Sequence, residues 1–317
     1  MGVFPEYSRR QVVPSKLSQV TMHTKFPPNT SPLAAGRCWV VVFLAFFLAT
    51  MATAQTVLTT PNDATALVRR AVQHRLEAEK THSPVQYVIR KTDERLDSTK
   101  LMIETKDGNV ARLIAVNGKP LTSDAEKTEL ARLDNLAQHP ELQEHRRKEE
   151  QEDTNRGNHI LSLLPDALLY QFEGMAPCPA GQCYRLSFKP NPNFTPPDIE
   201  TNILTGVEGE VWIDQAQERL TRLDAHFIKN VDIGFGILFK LNKGGTVSLQ
   251  QTRVGNSDWE LTGLTIHVTG KILMVKSFKS QFTEEMNHYS PAPPGLTYTD
   301  AIKLLQKYDP STAAYTP

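Results

Sequence analysis

The sequence predicts an α+β fold dominated by one antiparallel sheet. Residues 85–116 and 184–284 repeatedly alternate apolar and polar side chains, the period-two signature of half-buried strands. The hairpin signals Asp107-Gly108-Asn109 and Asn117-Gly118 punctuate the first of these regions, so neighbouring strands there run antiparallel. Helical spacing is confined to residues 62–80, 123–172 and 299–308.

The first helix opens with Asn62 and Asp63 as capping residues and sets Leu67, Val68, Ala71, Val72 and Leu76 on one face. Val85, Tyr87 and Ile89 then alternate with Gln86 and Arg90, and strands follow at 99–105 and 109–116. From Ser123 the chain is helical to about Phe172. Leu130, Leu133 and Leu136 give an apolar stripe, Pro140 interrupts it, residues 144–153 (EHRRKEEQED) form a solvated section, and Ile160–Tyr170 is densely apolar. Later strands are expected at 184–188, 209–214, 219–228, 246–254, 259–269 and 271–284, with a proline-rich bend at Pro190–Pro197 before them. Trp259 and Leu261 share a phase, whereas Leu264, Ile266 and Val268 take the opposite one. A slip at Gly263 of this kind predicts a β-bulge, which bends a sheet. Residues 291–317 read as a proline-rich linker and a short terminal helix, and no internal repeat or low-complexity tract is present.

The amino terminus speaks to compartment. Arg9, Arg10, Lys16, Lys25 and Arg37 precede an apolar run from Cys38 to Met51, and Ala52-Thr53-Ala54 follows it, the pattern of a secretory signal cleaved before Gln55. The competing reading is an uncleaved inner-membrane anchor, because Cys38–Ala54 reaches the lower limit of about 17 residues for a span. Met22 is an alternative start that leaves Lys25 and Arg37 as the basic lead. Residues 55–290 then form one domain with a helical insert over about 123–172. Residues 1–54 carry five of the 35 Lys/Arg and one of the 35 Asp/Glu, which leaves 30 basic and 34 acidic residues and a formal charge of −4. That balance lacks the basic footprint of a nucleic-acid binder.

Two cysteines remain beyond the signal, Cys178 and Cys183, separated by Pro-Ala-Gly-Gln. The Pro and Gly bend the chain back on itself, and an oxidising compartment favours a disulfide pinning a hairpin. A redox-active pair is the sharper alternative, but the spacing is not C-x-x-C and no helix start follows to lower a thiol pKa.

Candidate catalytic groups are few. His139 and His145 are six residues apart, about 240° around a helix, so they do not share the face that a zinc-binding helix requires. Asp214 ends a predicted strand and reads as a turn residue. The sequence has no Gly-x-Ser-x-Gly, phosphate-binding glycine loop or metal-type cysteine cluster, and the chain is read as non-enzymatic, with no cofactor and no metal.

The feature that does stand out is apolar. Val231–Leu241 (VDIGFGILFKL) punctuates an aromatic segment with glycines. It reads either as a core strand with a bend or as the flexible rim of a cavity, with Ile233, Phe235, Ile237, Leu238 and Phe239 touching a hydrophobic guest. Leu161, Leu164 and Leu168, in the apolar segment 160–170, would then act as its lid.

Gly209-Glu210-Val211-Trp212-Ile213-Asp214, Arg219-Leu220-Thr221-Arg222-Leu223, Gly234-Phe235-Gly236 and the closing strand with Lys276-Ser277-Phe278-Lys279 together resemble the bacterial outer-membrane lipoprotein-sorting proteins, the LolA-like group. The resemblance covers about residues 62–290 in element order. It implies a strongly curved antiparallel sheet, a half-open β-barrel, with helices covering its concave face. It also implies a dry hollow that holds lipid or lipoprotein acyl chains in the periplasm, with envelope membrane proteins as partners. Related folds also serve as periplasmic sensors, so a protein-interaction module whose partner surface is the charged section Glu144–Asp153 is the alternative.

Overall fold

The computed structural model describes residues 61–179, 181–233, 239–254, 258–273 and 275–309. The expected secretory signal and residues 234–238 of the glycine-punctuated segment, with Phe235, Ile237 and Leu238 among them, lie outside these residues.

Helix α1 (Pro61–Lys80) leads into β1 (Val85–Asp93), β2 (Asp97–Ile103), β3 (Val110–Val116) and the short β4 (Lys119–Pro120). Helices α2 (Ser123–Gln138) and α3 (Pro140–Ala167) precede the hairpin of β5 (Leu168–Cys178) and β6 (Gly181–Pro190). A 3₁₀ turn (Thr201–Gly206), β7 (Val207–Asp214), β8 (Leu220–Phe227), the short β9 (Val231–Ile233) and β10 (Phe239–Leu241), β11 (Thr246–Val254), β12 (Asp258–Ile272), β13 (Lys276–Pro291) and α4 (Tyr298–Lys307) complete the order. The strands form one open antiparallel sheet in the order β4-β3-β2-β1-β13-β12-β11-β8-β7-β6-β5, and the β9–β10 hairpin attaches to β12.

Local chemistry sets the boundaries. Thr122 caps α2 by accepting the Ala125 N–H at 3.3 Å. His139 cannot continue that helix into Pro140, because a residue before proline is pushed out of the helical region. Its φ of −122° and ψ of 76° reflect this, and Pro140 then begins α3, where its missing N–H costs nothing. At the other end α3 stops at Ala167, short of the Phe172 expected from the sequence, and Leu168 begins an edge strand. Pro165 occupies the last turn, and the Leu164 carbonyl accepts both the Leu168 N–H and, at 2.9 Å, the Tyr170 hydroxyl, which ties the helix end to the strand that follows.

Helix α3 fixes the curvature. Near its start Gln143 donates to the Asp107 carbonyl at 3.0 Å, and Glu150 accepts both the backbone N–H of Asn109 (3.2 Å) and its side-chain amide (2.9 Å). Both contacts clasp the β2–β3 turn. At its end it feeds β5. Glu150 to Ala167 measures about 26 Å along a helix axis. Nine strand steps separate β3 from β5 in the sheet, about 43 Å if it lay flat at about 4.8 Å per step. The sheet therefore curls, and α3 is the chord across its concave side.

The section expected to be solvated is thus only partly so: Arg146, Glu150 and Asp153 are half-buried, and the charges left outside pair among themselves, as Glu144 does with Arg147 at 2.8 Å. Helices α1 and α3 cover the concave face. Helices α2 and α4 pack instead on the opposite face of β1–β3, where Val88, Leu101, Ile103, Val110 and Ile114 meet Leu133, Leu136, Ala301, Ile302 and Leu305. Arg112 is buried there, donating to the Tyr308 carbonyl at 2.6 Å and pairing with Glu126.

The phase slip near Gly263 is a bulge: Gln250 faces Gly263 and Gln251 faces Leu261, leaving Thr262 as the extra residue. The break between strands, expected at residue 270, lies further on, because β12 runs to Ile272 and β13 begins at Lys276. Gly270 has a packing role. A Cβ there would sit 2.1 Å from the Lys240 carbonyl, so only glycine lets β10 lie this close.

Candidate ligand-binding face

The β5–β8 end of the concave face is sealed. Ala64, Leu67, Val68, Ala71 and Val72 of α1 pack on Leu168, Tyr170, Leu186, Phe188, Val211, Ile213 and Phe227, all buried. Of the residues singled out in the sequence, Leu164 and Leu168 are buried within this core, and Leu161 and Ile233 are half-buried against it. Leu168 belongs to β5 rather than to a helical lid, because α3 has already ended. Phe239 stands apart, 42% exposed and paired with Ile272 across the strands.

Towards β12, β13 and β1 the same face changes character. Cross-strand pairing places Leu249 opposite Leu264, Ile266 opposite Phe282, Met286 opposite Ile89, and Tyr87 opposite Met102. Their side chains therefore share the concave side. Ile89, Met102, Leu249, Ile266 and Phe282 are only half-buried, as are Leu223, Ala225, Leu241 and Val268, which continue the stripe towards the sealed core.

Polar groups interrupt this apolar stripe at defined places. The Lys91 ammonium pairs with the Glu284 carboxylate at 2.5 Å and lies 3.8 Å from the centre of the Phe282 ring. Lys100, opposite Ile89, faces the same way, and burial lowers its pKa from the ordinary lysine value, with Arg132 and Lys91 adding repulsion. Deeper in, the Tyr87 and Tyr289 rings stack at 4.9 Å, the Tyr289 hydroxyl donates to the Leu261 carbonyl at 2.6 Å, and His82 pairs with Glu104. Burial raises the pKa of both phenols, and neighbouring carboxylates raise them further. Arg75, buried near the end of α1, pairs with Glu79 at 2.6 Å.

None of Lys91, Glu284, His82 and Glu104 was singled out in the sequence. Lys91 and Glu284 lie 193 positions apart, and only the sheet register unites them. A faint signal existed in β13, where Phe282, Glu284 and Met286 put one charge in an apolar phase.

Cys178 and Cys183 form the expected disulfide, with Cα atoms 5.9 Å apart at the tip of the β5–β6 hairpin. Asp214 lies beside them, but the bonded sulfurs offer no thiolate. The Asp214 carboxylate accepts the Gln217 N–H at 2.7 Å, the expected turn role. His139 and His145 are exposed and paired with Glu141 (2.9 Å) and Glu149 (3.6 Å). Among the described residues no helix is long and apolar enough to cross a membrane.

No family model matches the chain, and no curated protein matches it. Two chains of solved structure do. One is a DUF1329 family protein from Desulfovibrio piger, 10% identical, covering 74% of this chain and 95% of its own, with a TM-score of 0.29. The strand order and registers above establish the α+β open-sheet architecture without it.

Proposed function

We propose that the protein is a non-enzymatic binder or carrier of a lipid or lipoprotein acyl group in the cell envelope, with the half-buried stripe of the concave face as its site. The observation that carries this reading is that stripe: Ile89, Met102, Leu249, Ile266 and Phe282 belong to one apolar cluster on the concave face and are only half-buried. An acyl chain laid along it gains about 0.8 kcal/mol per methylene removed from water, so a long chain binds through area alone. Lys91 and Lys100, set in the same face, suit the anionic end of such a guest. The signal pattern at 38–54 and the disulfide agree with a periplasmic setting. Outside the cytoplasm there is no nucleotide to drive release, so the guest leaves when a partner binds it better.

A second reading has its own support: the outward face of α3, from Glu144 to Glu152, is charged and exposed, as a sensor's partner surface would be. The two separate in one assay. Ile266→Glu or Phe282→Glu should abolish uptake of a fluorescent fatty-acyl probe while far-ultraviolet circular dichroism stays native, and Lys148→Glu on α3 should leave uptake unchanged. Undiminished uptake in both concave-face variants would sink the carrier reading.

A further inference from the structure

The β12–β13 hairpin ends in an unusual tip. Val275 is 83% exposed and Leu273 56%, and Phe239, paired with Ile272 on the neighbouring strand, adds a third exposed apolar side chain. Leu273 has a φ of 50°, a left-handed conformation that favours glycine or asparagine, so a large apolar residue is kept where folding gains little from it. Lysines lie near these side chains along the strands, Lys276 in register with the Phe239–Ile272 pair and Lys240 and Lys271 one step away on the other face. Lys240 and Lys271 stand directly opposite each other across β10 and β12, a like-charge pairing that disfavours the sheet, and Lys276 follows one strand over. Asp232, 3.4 Å from the Lys240 ammonium, is the acidic group set against them, so the tip is basic although the chain beyond residue 54 is acidic overall.

We infer that this tip docks the protein on an anionic lipid bilayer, with Leu273, Val275 and Phe239 entering the headgroup region and Lys240, Lys271 and Lys276 lying against lipid phosphates. Exposed apolar side chains with cations close by match an interfacial anchor on both counts: apolar area enters the lipid boundary, and negative surface potential draws the lysines in. The inference does not depend on what the concave face holds.

The test is co-sedimentation of the purified full chain with vesicles of phosphatidylethanolamine and phosphatidylglycerol, and with vesicles of phosphatidylcholine alone. The protein should pellet with the anionic vesicles and release in high salt. Leu273→Ser with Val275→Ser, and separately Lys271→Glu with Lys276→Glu, should each weaken binding about tenfold or more, with the thermal midpoint not lowered, because all four side chains are exposed and Lys271→Glu replaces a like-charge pair with Lys240 by an opposite-charge one. Wild-type protein that stays in the supernatant, or variants that pellet like wild type, would overturn the inference. So would a concentration-dependent dimer abolished by the same substitutions, which would give the tip to a second copy. Acyl-probe uptake in the tip variants reads the concave face independently, so either reading can fail alone.

Discussion

At the β5–β8 end of the concave face, Leu186, Ile213 and Phe227 are buried beneath α1 and the end of α3. At the β12–β13–β1 end, Ile89, Ile266 and Phe282 keep part of their surface in solvent. The residue types are alike, and both sets point the same way from the same sheet. The cover differs. Helix α1 lies on the first region, whereas α3 reaches the second region's side of the sheet mainly at the β2–β3 turn. The closed end is therefore where burial supports the fold, and the open end is where apolar area remains for something else to cover.

That contrast can be broken from either side. Leu186→Ala, which empties a site with no exposure, should cost about 3–5 kcal/mol in urea unfolding, whereas Phe282→Ala, half-open already, should cost about 1–2 kcal/mol. Equal costs would mean the open end is ordinary core. Lys91→Met removes the ammonium from a carboxylate that is 2% exposed and should cost about 3 kcal/mol, while Lys91→Met with Glu284→Leu should recover most of that loss. A double variant no better than the single would show that Glu284 has another partner of comparable weight.

A smaller and more diffuse effect concerns pH. Tyr87 and Tyr289 have phenol pKa values raised in the folded protein, so the folded state holds their protons more tightly than the unfolded chain does. Their contribution is complete below the unfolded value of about 10 and falls as pH rises above it, by up to about 1.4 kcal/mol per phenol per pH unit. Lys100 has the opposite sign, its lowered pKa giving stability that rises with pH until the unfolded lysine value near 10.5 is passed. Tyr289→Phe should flatten the alkaline decline in thermal midpoint. An unchanged decline would place its cause elsewhere.

Much of this architecture was legible in the sequence, because period-two alternation and turn residues act locally. The strand 246–254 was read with its observed limits, and the change of phase at Gly263 foretold the bulge that leaves Thr262 unpaired. The end of α3 was not legible. Ile160–Tyr170 is apolar throughout, so neither period stands out, and the boundary depends on Pro165 and on a hydroxyl from the following strand. The site was legible only in outline. Leu161, Leu164, Leu168 and Ile233 do converge, but on the sealed core, while the open stripe gathers single residues from β1, β2, β11, β12 and β13. The pairs Lys91–Glu284 and His82–Glu104 exist only once the register is set.

The most direct test of the central claim is native mass spectrometry on the protein expressed into a bacterial envelope and purified without detergent. Acyl binding at the open end predicts a polypeptide mass plus one stoichiometric lipid or acylated peptide, with the added mass missing from Phe282→Glu. A bare polypeptide that also refuses added fatty-acyl probes would contradict it.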